Sequence, residues 1–145
     1  MSGVEALAAF GIACNVFQTI SFGRDAIGLI KGIYETGSYD PVLGTKGKFL
    51  DGISDELESQ LQVLPATSLP KDQARLLEIT KTCRTINKEI QEEVKFLSDD
   101  ASKGKLASTL KLAAKTAWRK RRLNKLERQL GEVEKMMQAG LLVKI

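Results

Sequence analysis

Apolar and polar positions follow a helical period over most of this chain, beginning with residues 4–23, VEALAAFGIACNVFQTISFG. At about 100° per residue, the apolar side chains of this segment collect on one broad arc, opposite a thin polar strip. The arc contains Ala6, Ala9, Phe10, Ala13, Cys14, Val16, Phe17 and Ile20, and the strip contains Glu5, Asn15, Gln18 and Thr19. This pattern predicts the central helix of a bundle.

The same helix is expected to continue through RDAIGLIKGIYE to about Glu35, with a bend near Gly23. Gly37 follows in TGSYDP and predicts the stop of the helix, because glycine adopts the left-handed conformation that closes a C-terminus. Asp40 and Pro41 predict the next start, as an N-cap followed by a proline in the first helical position.

Two further helices are predicted before residue 98, separated by the proline-bounded loop PATSLP at 65–70. The apolar face of the second helix contains Phe49, Ile53, Leu57, Leu61 and Leu64. The third helix, at about 71–97, has the clearest period, with Leu76, Ile79, Cys83, Ile86, Ile90, Val94 and Leu97 at steps of three and four. A polar turn is expected at 98–104.

The last third of the chain has two apolar stripes that are out of register with each other. The first contains Leu106, Leu110, Ala113 and Ala117, and the second contains Leu123, Leu126, Leu130, Val133 and Met137. The change of register falls on WRKRR at 118–122, so a break, kink or tight turn is expected there. The whole pattern predicts an all-α fold, an antiparallel four- to five-helix bundle that forms a single domain over residues 1–145.

Composition argues against enzymatic chemistry. The chain has no histidine, which excludes Ser-His and Cys-His nucleophile pairs and ordinary zinc sites. GTKGKF at 44–49 lacks the spacing of a phosphate-binding loop, and the carboxylate pairs Glu92-Glu93 and Asp99-Asp100 are interpreted as solvated faces or caps. Cys14 and Cys83 are expected to be small core side chains rather than a disulfide. No catalytic residue, cofactor or metal is therefore predicted.

Charge is unevenly distributed behind a net value of +4. Residues 1–102 carry 10 basic and 15 acidic side chains, whereas residues 103–128 carry 10 basic side chains and one acid, Glu127. A mildly acidic body with one strongly basic segment indicates an anionic partner. Trp118 beside Arg119 suits an anchor at a membrane interface, although a single tryptophan is more often part of a core.

The apolar opening segment does not have the pattern of a leader or of a permanent span. A signal peptide begins with a basic region, and Glu5 is the only charge before Arg24. A span needs about 20 mostly apolar residues, and Asn15, Gln18, Thr19 and Ser21 interrupt this run. The small-residue pairs Ala9/Ala13 and Gly28/Gly32 would favour helix association in lipid if the helix left its bundle.

Two segments carry a resemblance to a known family. MSGVEALAAFGIACNVFQTISFGRDAIGLIKGIYETG resembles the start of the fungal HeLo-like domain, found at the N-terminus of STAND or NLR-type receptors. AWRKRRLNKLERQLGEVEKMM is similar to the tryptophan, basic run and Leu-rich closing helix of that domain. Together the two segments are about 60 of the 145 residues. The resemblance implies a helical bundle related to HeLo domains and to the N-terminal bundle of the mixed-lineage kinase-like pseudokinase.

Such domains execute regulated cell death: on assembly they move to membranes and permeabilise them, with the N-terminal helix as the toxic element. The resemblance thus implies a pore-forming effector of fungal innate immunity or incompatibility, cytoplasmic at rest and at the plasma membrane when activated. Its activator would be an NLR-type receptor in the same or another chain. The implied membrane-active residues are Val4, Leu7, Phe10, Ile12, Val16, Phe17 and Ile20. The implied contacts to anionic lipid are Lys111, Lys115, Arg119, Lys120, Arg121, Arg122, Lys125 and Arg128.

Two other functions fit the same residues. The apolar faces would also serve a signalling module that self-associates or docks on a receptor without contacting lipid. The basic segment would also contact phosphates of nucleic acid, but no helix-turn-helix pattern or aromatic stacking platform accompanies it, so nucleic acid is the least expected partner.

Overall fold

The computed structural model describes residues 3–63, 71–105 and 113–144, with side chains at 10–62, 74–105 and 117–139. These residues form four α-helices: α1 (Gly3–Thr36), α2 (Val42–Val63), α3 (Lys71–Ser102) and α4 (Ala113–Lys144). No strand occurs in the described residues, and the four helices pack against one another, which confirms the all-α bundle. The expected loop at 65–70, Leu64 and the fifth segment around Leu106 and Leu110 lie outside the described residues.

Helices that follow one another in sequence are antiparallel, and so are α1 and α4. Along each such pair of helices, residue numbers rise in one helix as they fall in the other: Asn15–Gln60 and Asp25–Lys46 between α1 and α2, Glu58–Arg84 and Leu50–Asn87 between α2 and α3, and Arg24–Glu134 and Lys31–Glu127 between α1 and α4. Both α1 and α3 contact the three other helices. They form the central pair of the bundle, and α2 and α4 lie on opposite sides of them.

The predicted helix ends around residues 37–41 are confirmed. Gly37 has a φ of 74° and donates its N–H to the carbonyl of Ile33 at 2.8 Å, which closes α1. The side chain of Asp40 accepts a hydrogen bond of 3.0 Å from the N–H of Val42, as an N-cap does. These two residues set the tight connection that places α2 beside α1.

The buried face of α1 differs from the predicted arc. Phe10 is 70% exposed and Cys14 is exposed, whereas Asn15 and Thr19 of the expected polar strip are buried. Asn15 donates to Gln60 Oε1 at 3.0 Å, and Thr19 donates to the carbonyl of Asn15 at the same distance. These hydrogen bonds allow Asn15 and Thr19 to be buried. The buried face of α1 is therefore rotated about the helix axis by roughly a quarter of a turn from the face that hydrophobicity alone predicts.

α1 is continuous from Gly3 to Thr36, so the helix is not interrupted at Gly23, where a bend is expected. Gly23 lies where three helices meet: a Cβ at this position would approach the Cδ1 atoms of Leu130 and Ile90 at 3.0 and 3.1 Å. The glycine therefore serves close packing of α1 against α3 and α4 rather than a change of direction.

The predicted core face is confirmed in α3 but only in part in α2, where Leu61 is partly buried. In α2, Ile53 and Leu57 are buried, but Phe49 is 50% exposed and stacks on Phe22 of α1. Leu43 and Leu50 are also buried in the core, although the predicted face of α2 does not include them. In α3 the buried set matches the prediction: Ile79, Cys83, Ile86, Ile90, Val94 and Leu97, with Leu76 partly buried.

The turn predicted at 98–104 is shorter than expected. α3 continues to Ser102, and Gly104 supplies the positive φ, 68°, that ends it. The cysteines follow the prediction in part: both are free, and Cys83 is buried, but Cys14 lies on the exposed side of α1.

The break predicted at 118–122 is wrong, because α4 runs without interruption from Ala113 to Lys144. Its inward positions continue at steps of three and four through the basic run: Arg119, Arg122, Leu123, Leu126, Leu130, Val133 and Met137. Arginines thus occupy the positions that apolar residues occupy further along. The apolar stripe predicted to end at Ala117 does not continue onto the inward face of α4, because Ala117 is exposed.

Candidate functional site

Helix α4 divides the basic run between two opposite faces. Arg119 and Arg122 turn inward toward α3, where both are partly buried. Lys120, Arg121, Lys125 and Arg128 are exposed. Lys111 lies outside the described residues, as does the side chain of Lys115. The eight cations that were expected to act together are therefore not equivalent, and each face is described separately below.

The inward arginines bind a carboxylate that has no solvent-exposed surface. Glu93 of α3 accepts a hydrogen bond of 2.9 Å from Arg119 Nη1 on Oε2, and one of 3.1 Å from Arg122 Nη1 on Oε1. Arg122 also donates through Nη2 to Glu92 Oε2 at 2.7 Å. These four residues, Glu92, Glu93, Arg119 and Arg122, are called the Glu93 cluster. The expectation that Glu93 forms a solvated face is wrong, because it is fully buried.

Two aromatic rings lie against the arginines of the Glu93 cluster. The guanidinium carbon of Arg119 lies 3.5 Å from the ring centroid of Phe96, and Trp118 lies within 6 Å of both arginines, at 5.8 and 5.9 Å. Stacking on Phe96 lets a charged group be buried with favourable contacts on its flat side. Trp118 remains 56% exposed, so it lies at the rim of the cluster. It is not part of the core, where a single tryptophan is more often found.

The environment of the Glu93 cluster shifts two pKa values. Burial raises the pKa of Tyr34 to about 12, with the negative charge of Glu93 acting in the same direction and Arg119 opposing it. The Tyr34 hydroxyl is buried close enough to Arg119 for hydrogen bonding to lower its pKa, but it makes no hydrogen bond of full geometry with the described residues. Burial opposes the charge of Arg122, but the hydrogen bond to Glu92 and the charges of Glu93, Glu92 and Glu89 outweigh it, so its pKa is raised.

The outward side of α4 carries cations and a tryptophan. We call Trp118, Lys120, Arg121, Lys125 and Arg128 the α4 basic face. Trp118, Arg121, Lys125 and Arg128 recur at steps of three and four, so they lie along one line of the helix. Within the described parts of the chain, none of the four cations forms an ion pair. The acid inside this stretch, Glu127, is engaged by Lys31 of α1 at 2.6 Å. This face is therefore positive and open to solvent.

The residues implied to be membrane-active in α1 divide between core and surface. Ile12, Val16 and Ile20 are at most 2% exposed, and Phe17 packs against the core while partly buried. Phe10 is exposed, and the side chains of Val4 and Leu7 lie outside the described residues. Because α1 contacts all three other helices, the buried three would meet lipid only after the bundle opens.

The small-residue pair Gly28/Gly32 lies on the open side of α1. No atom comes within 4 Å of a Cβ placed at either glycine, and Gly28 is exposed. The pair is thus available to a neighbouring surface without movement of the bundle. For the pair Ala9/Ala13, Ala13 packs partly against the core, and the side chain of residue 9 is not among those described.

The Glu93 cluster was not predicted from the sequence, although a signal for it is present. Arg119 and Arg122 stand at the inward spacing that Leu126, Leu130 and Val133 continue. Arginines at core spacing require a buried acid on a facing helix.

Among the residues that the structure describes, no helix has both the length and the apolar content needed to cross a bilayer.

Comparison of the chain with protein-family models, curated protein sequences and solved structures returned no match. The resemblance to the fungal HeLo-like domain therefore stays a prediction from the residues quoted above.

Proposed function

We propose that the protein binds anionic membrane surfaces through the α4 basic face and acts there, after self-association, as a membrane-permeabilising effector. The observation that carries the proposal is the solvent-exposed row of Arg121, Lys125 and Arg128 beside the half-exposed Trp118. Each cation near an anionic leaflet contributes about 1 kcal/mol, and tryptophan favours the interface between headgroups and acyl chains.

The cellular role follows from the resemblance. In that role the protein is a cell-death-inducing effector of fungal innate immunity or incompatibility, cytoplasmic at rest and at the plasma membrane when activated. An NLR-type receptor, in the same or another chain, would supply the signal for assembly. The buried residues Ile12, Val16 and Ile20 are the part of α1 that would enter lipid, and their burial in the closed bundle accounts for a resting state that does not permeabilise.

Binding is tested with vesicles of phosphatidylcholine containing 30% phosphatidylserine. The triple variant Arg121→Gln, Lys125→Gln, Arg128→Gln should bind these vesicles about 100-fold more weakly than the native chain, since three contributions of about 1 kcal/mol are lost. The matched control, Lys48→Gln, Lys81→Gln, Lys88→Gln, removes the same charge from exposed positions of α2 and α3. An equal loss in both variants, or equal binding to vesicles without phosphatidylserine, contradicts the proposal.

Permeabilisation is tested by dye release from the same vesicles. Cysteines placed at Arg24 and Glu134, which pair across α1 and α4 at 2.8 Å, allow a short bis-maleimide to join the two helices in a Cys14→Ser background. Under conditions in which the protein self-associates, the crosslinked protein should bind vesicles but release no dye, whereas the same variant without the reagent should release it. Release that is unchanged by the crosslink would exclude departure of α1 from α4 as the permeabilising step.

The alternative functions give different results in these assays. A docking module would self-associate without preferring anionic vesicles. A nucleic-acid-binding domain would bind DNA with a steep dependence on salt and would not bind vesicles.

A further inference from the structure

The two parts of α4 are held to the bundle by different forces. From Leu123 onward, Leu123, Leu126, Leu130, Val133 and Met137 are buried in the core. Among the described side chains at 117–122, none is a buried apolar group: Ala117 and Trp118 are exposed, as are Lys120 and Arg121. The contacts of this part with α3 are those of Arg119 and Arg122 with Glu93, Glu92 and Phe96.

We propose that an anionic lipid surface competes with Glu93 for Arg119 and Arg122, and that this exchange detaches residues 117–122 of α4 from α3. The inference rests on the proposed function and names the regulation of the same surface. Detachment exposes Arg119 and Arg122 in addition to the four cations of the α4 basic face. Binding to lipid and opening of α4 therefore reinforce each other.

The guanidinium groups of Arg119 and Arg122 have anionic hydrogen-bond partners both before and after the exchange. Guanidinium groups form paired hydrogen bonds with phosphate oxygens as they do with carboxylates. Lipid phosphates therefore replace both oxygens of Glu93, and water enters to hydrate the carboxylate that is left. The core residues from Leu123 onward keep the rest of α4 in place, so Leu123 is the hinge.

The opening is measured as a distance between spin labels on α3 and α4. Cysteines at Lys95 and Ala117, both exposed, report on the beginning of α4, and cysteines at Lys81 and Gln138 report on its packed end. Cys14 is replaced by serine, and the buried Cys83 is retained. On binding to vesicles with phosphatidylserine, the 95–117 distance should lengthen by about 5 to 9 Å, because Ala117 lies six residues, or about 9 Å, from the hinge at Leu123. The 81–138 distance should not change.

Three outcomes separate this inference from the proposed function. Binding with an unchanged 95–117 distance overturns the inference and leaves the proposed function intact. Absence of binding to anionic vesicles overturns the proposed function itself. Lengthening of both distances means that the whole helix leaves, which also overturns the hinge at Leu123.

The variant Glu93→Gln removes the competing charge, and Glu78→Gln removes the same charge from an exposed position of α3. Glu93→Gln should broaden the 95–117 distance without lipid and bind anionic vesicles several-fold more tightly than Glu78→Gln. Equal affinity of the two variants contradicts the inference. If circular dichroism shows that Glu93→Gln is unfolded, the two distances in the chain with native Glu93 decide alone.

Discussion

Glu93 and Arg119 form a hydrogen-bonded ion pair of 2.9 Å in which the Glu93 side chain is fully buried and the Arg119 side chain is 18% exposed. The pair joins the middle of α3 to the beginning of α4, at the level where α4 has no buried leucine. A buried ion pair adds little to stability when it is intact, but removing one partner leaves an uncompensated charge. The pair therefore determines where α4 docks more than how strongly it is held.

Replacement of Glu93 should destabilise the protein far more than replacement of its neighbour. Glu93→Gln leaves the partly buried Arg119 without a counter-charge and Arg122 with the exposed Glu92 alone, and should lower the free energy of unfolding by about 3 kcal/mol. Glu92→Gln removes an exposed partner of Arg122 and should lower it by less than about 1 kcal/mol. Urea unfolding of both variants at neutral pH measures the difference, and equal losses would show that the burial of Glu93 has no energetic consequence.

The Tyr34 hydroxyl should be dispensable at neutral pH. It is buried with the guanidinium of Arg119 nearby but with no hydrogen bond of full geometry among the described residues, so Tyr34→Phe should leave the free energy of unfolding unchanged or raise it by up to about 1 kcal/mol. Tyr39→Phe is the matched control, because its hydroxyl pairs with Ser98 at 2.8 Å, and it should cost about 1 kcal/mol. Greater destabilisation by Tyr34→Phe than by Tyr39→Phe would contradict this prediction.

The same substitution should change the response to alkali. The pKa of Tyr34 is about 12 in the folded protein against 10 as its ordinary value, so folding favours the neutral hydroxyl. This contribution is complete below pH 10 and is lost as the pH rises through 12. Tyr34→Phe should therefore lose less stability than the native chain between pH 10 and 12. Urea unfolding at several pH values in this window measures the loss, and identical slopes would contradict the prediction.

The two thiols should differ sharply in reactivity. Cys14 is exposed, whereas Cys83 is buried, and burial raises the pKa of the Cys83 thiol to about 11 against the opposing effect of a hydrogen bond with Thr19. A disulfide reagent at pH 8 should therefore titrate one thiol in the folded chain and two in denaturant. Cys14→Ser should abolish the reaction of the folded chain. Rapid labelling that survives this substitution would show that Cys83 is accessible.

Two glycines of α2 should respond oppositely to alanine. A Cβ at Gly52 meets no atom within 4 Å, so Gly52→Ala should stabilise the protein by up to about 1 kcal/mol through helix propensity. A Cβ at Gly47 would lie 2.9 Å from Cγ1 of Val94, so Gly47→Ala should destabilise it by about 1 kcal/mol despite the same gain in propensity. Thermal unfolding compares the two variants, and similar melting temperatures would contradict the close packing of α2 on α3.

The hydrophobic period predicted the three helices before residue 98 correctly, although the third continues to Ser102. Gly37 and Asp40 marked the ends around the first connection correctly, because caps depend on side chains adjacent in sequence. The core face of α3 was also determined, since six of its apolar positions repeat at steps of three and four: Ile79, Cys83, Ile86, Ile90, Val94 and Leu97. The buried polar residues Thr80, Asn87 and Glu93 lie beside this stripe and were not predicted from it. For these features, local spacing contains the necessary information.

Only the tertiary structure decided which polar groups are buried. Asn15 is in the core because Gln60, 45 residues later, supplies its partner, and Phe10 is correspondingly exposed. The basic run appeared to break the last helix, yet Arg119 and Arg122 continue its inward face because Glu93 meets them from α3. Burial of a polar or charged side chain depends on a partner from a distant part of the chain, so hydrophobicity along the sequence predicts the helices and not the partners that fix their rotation.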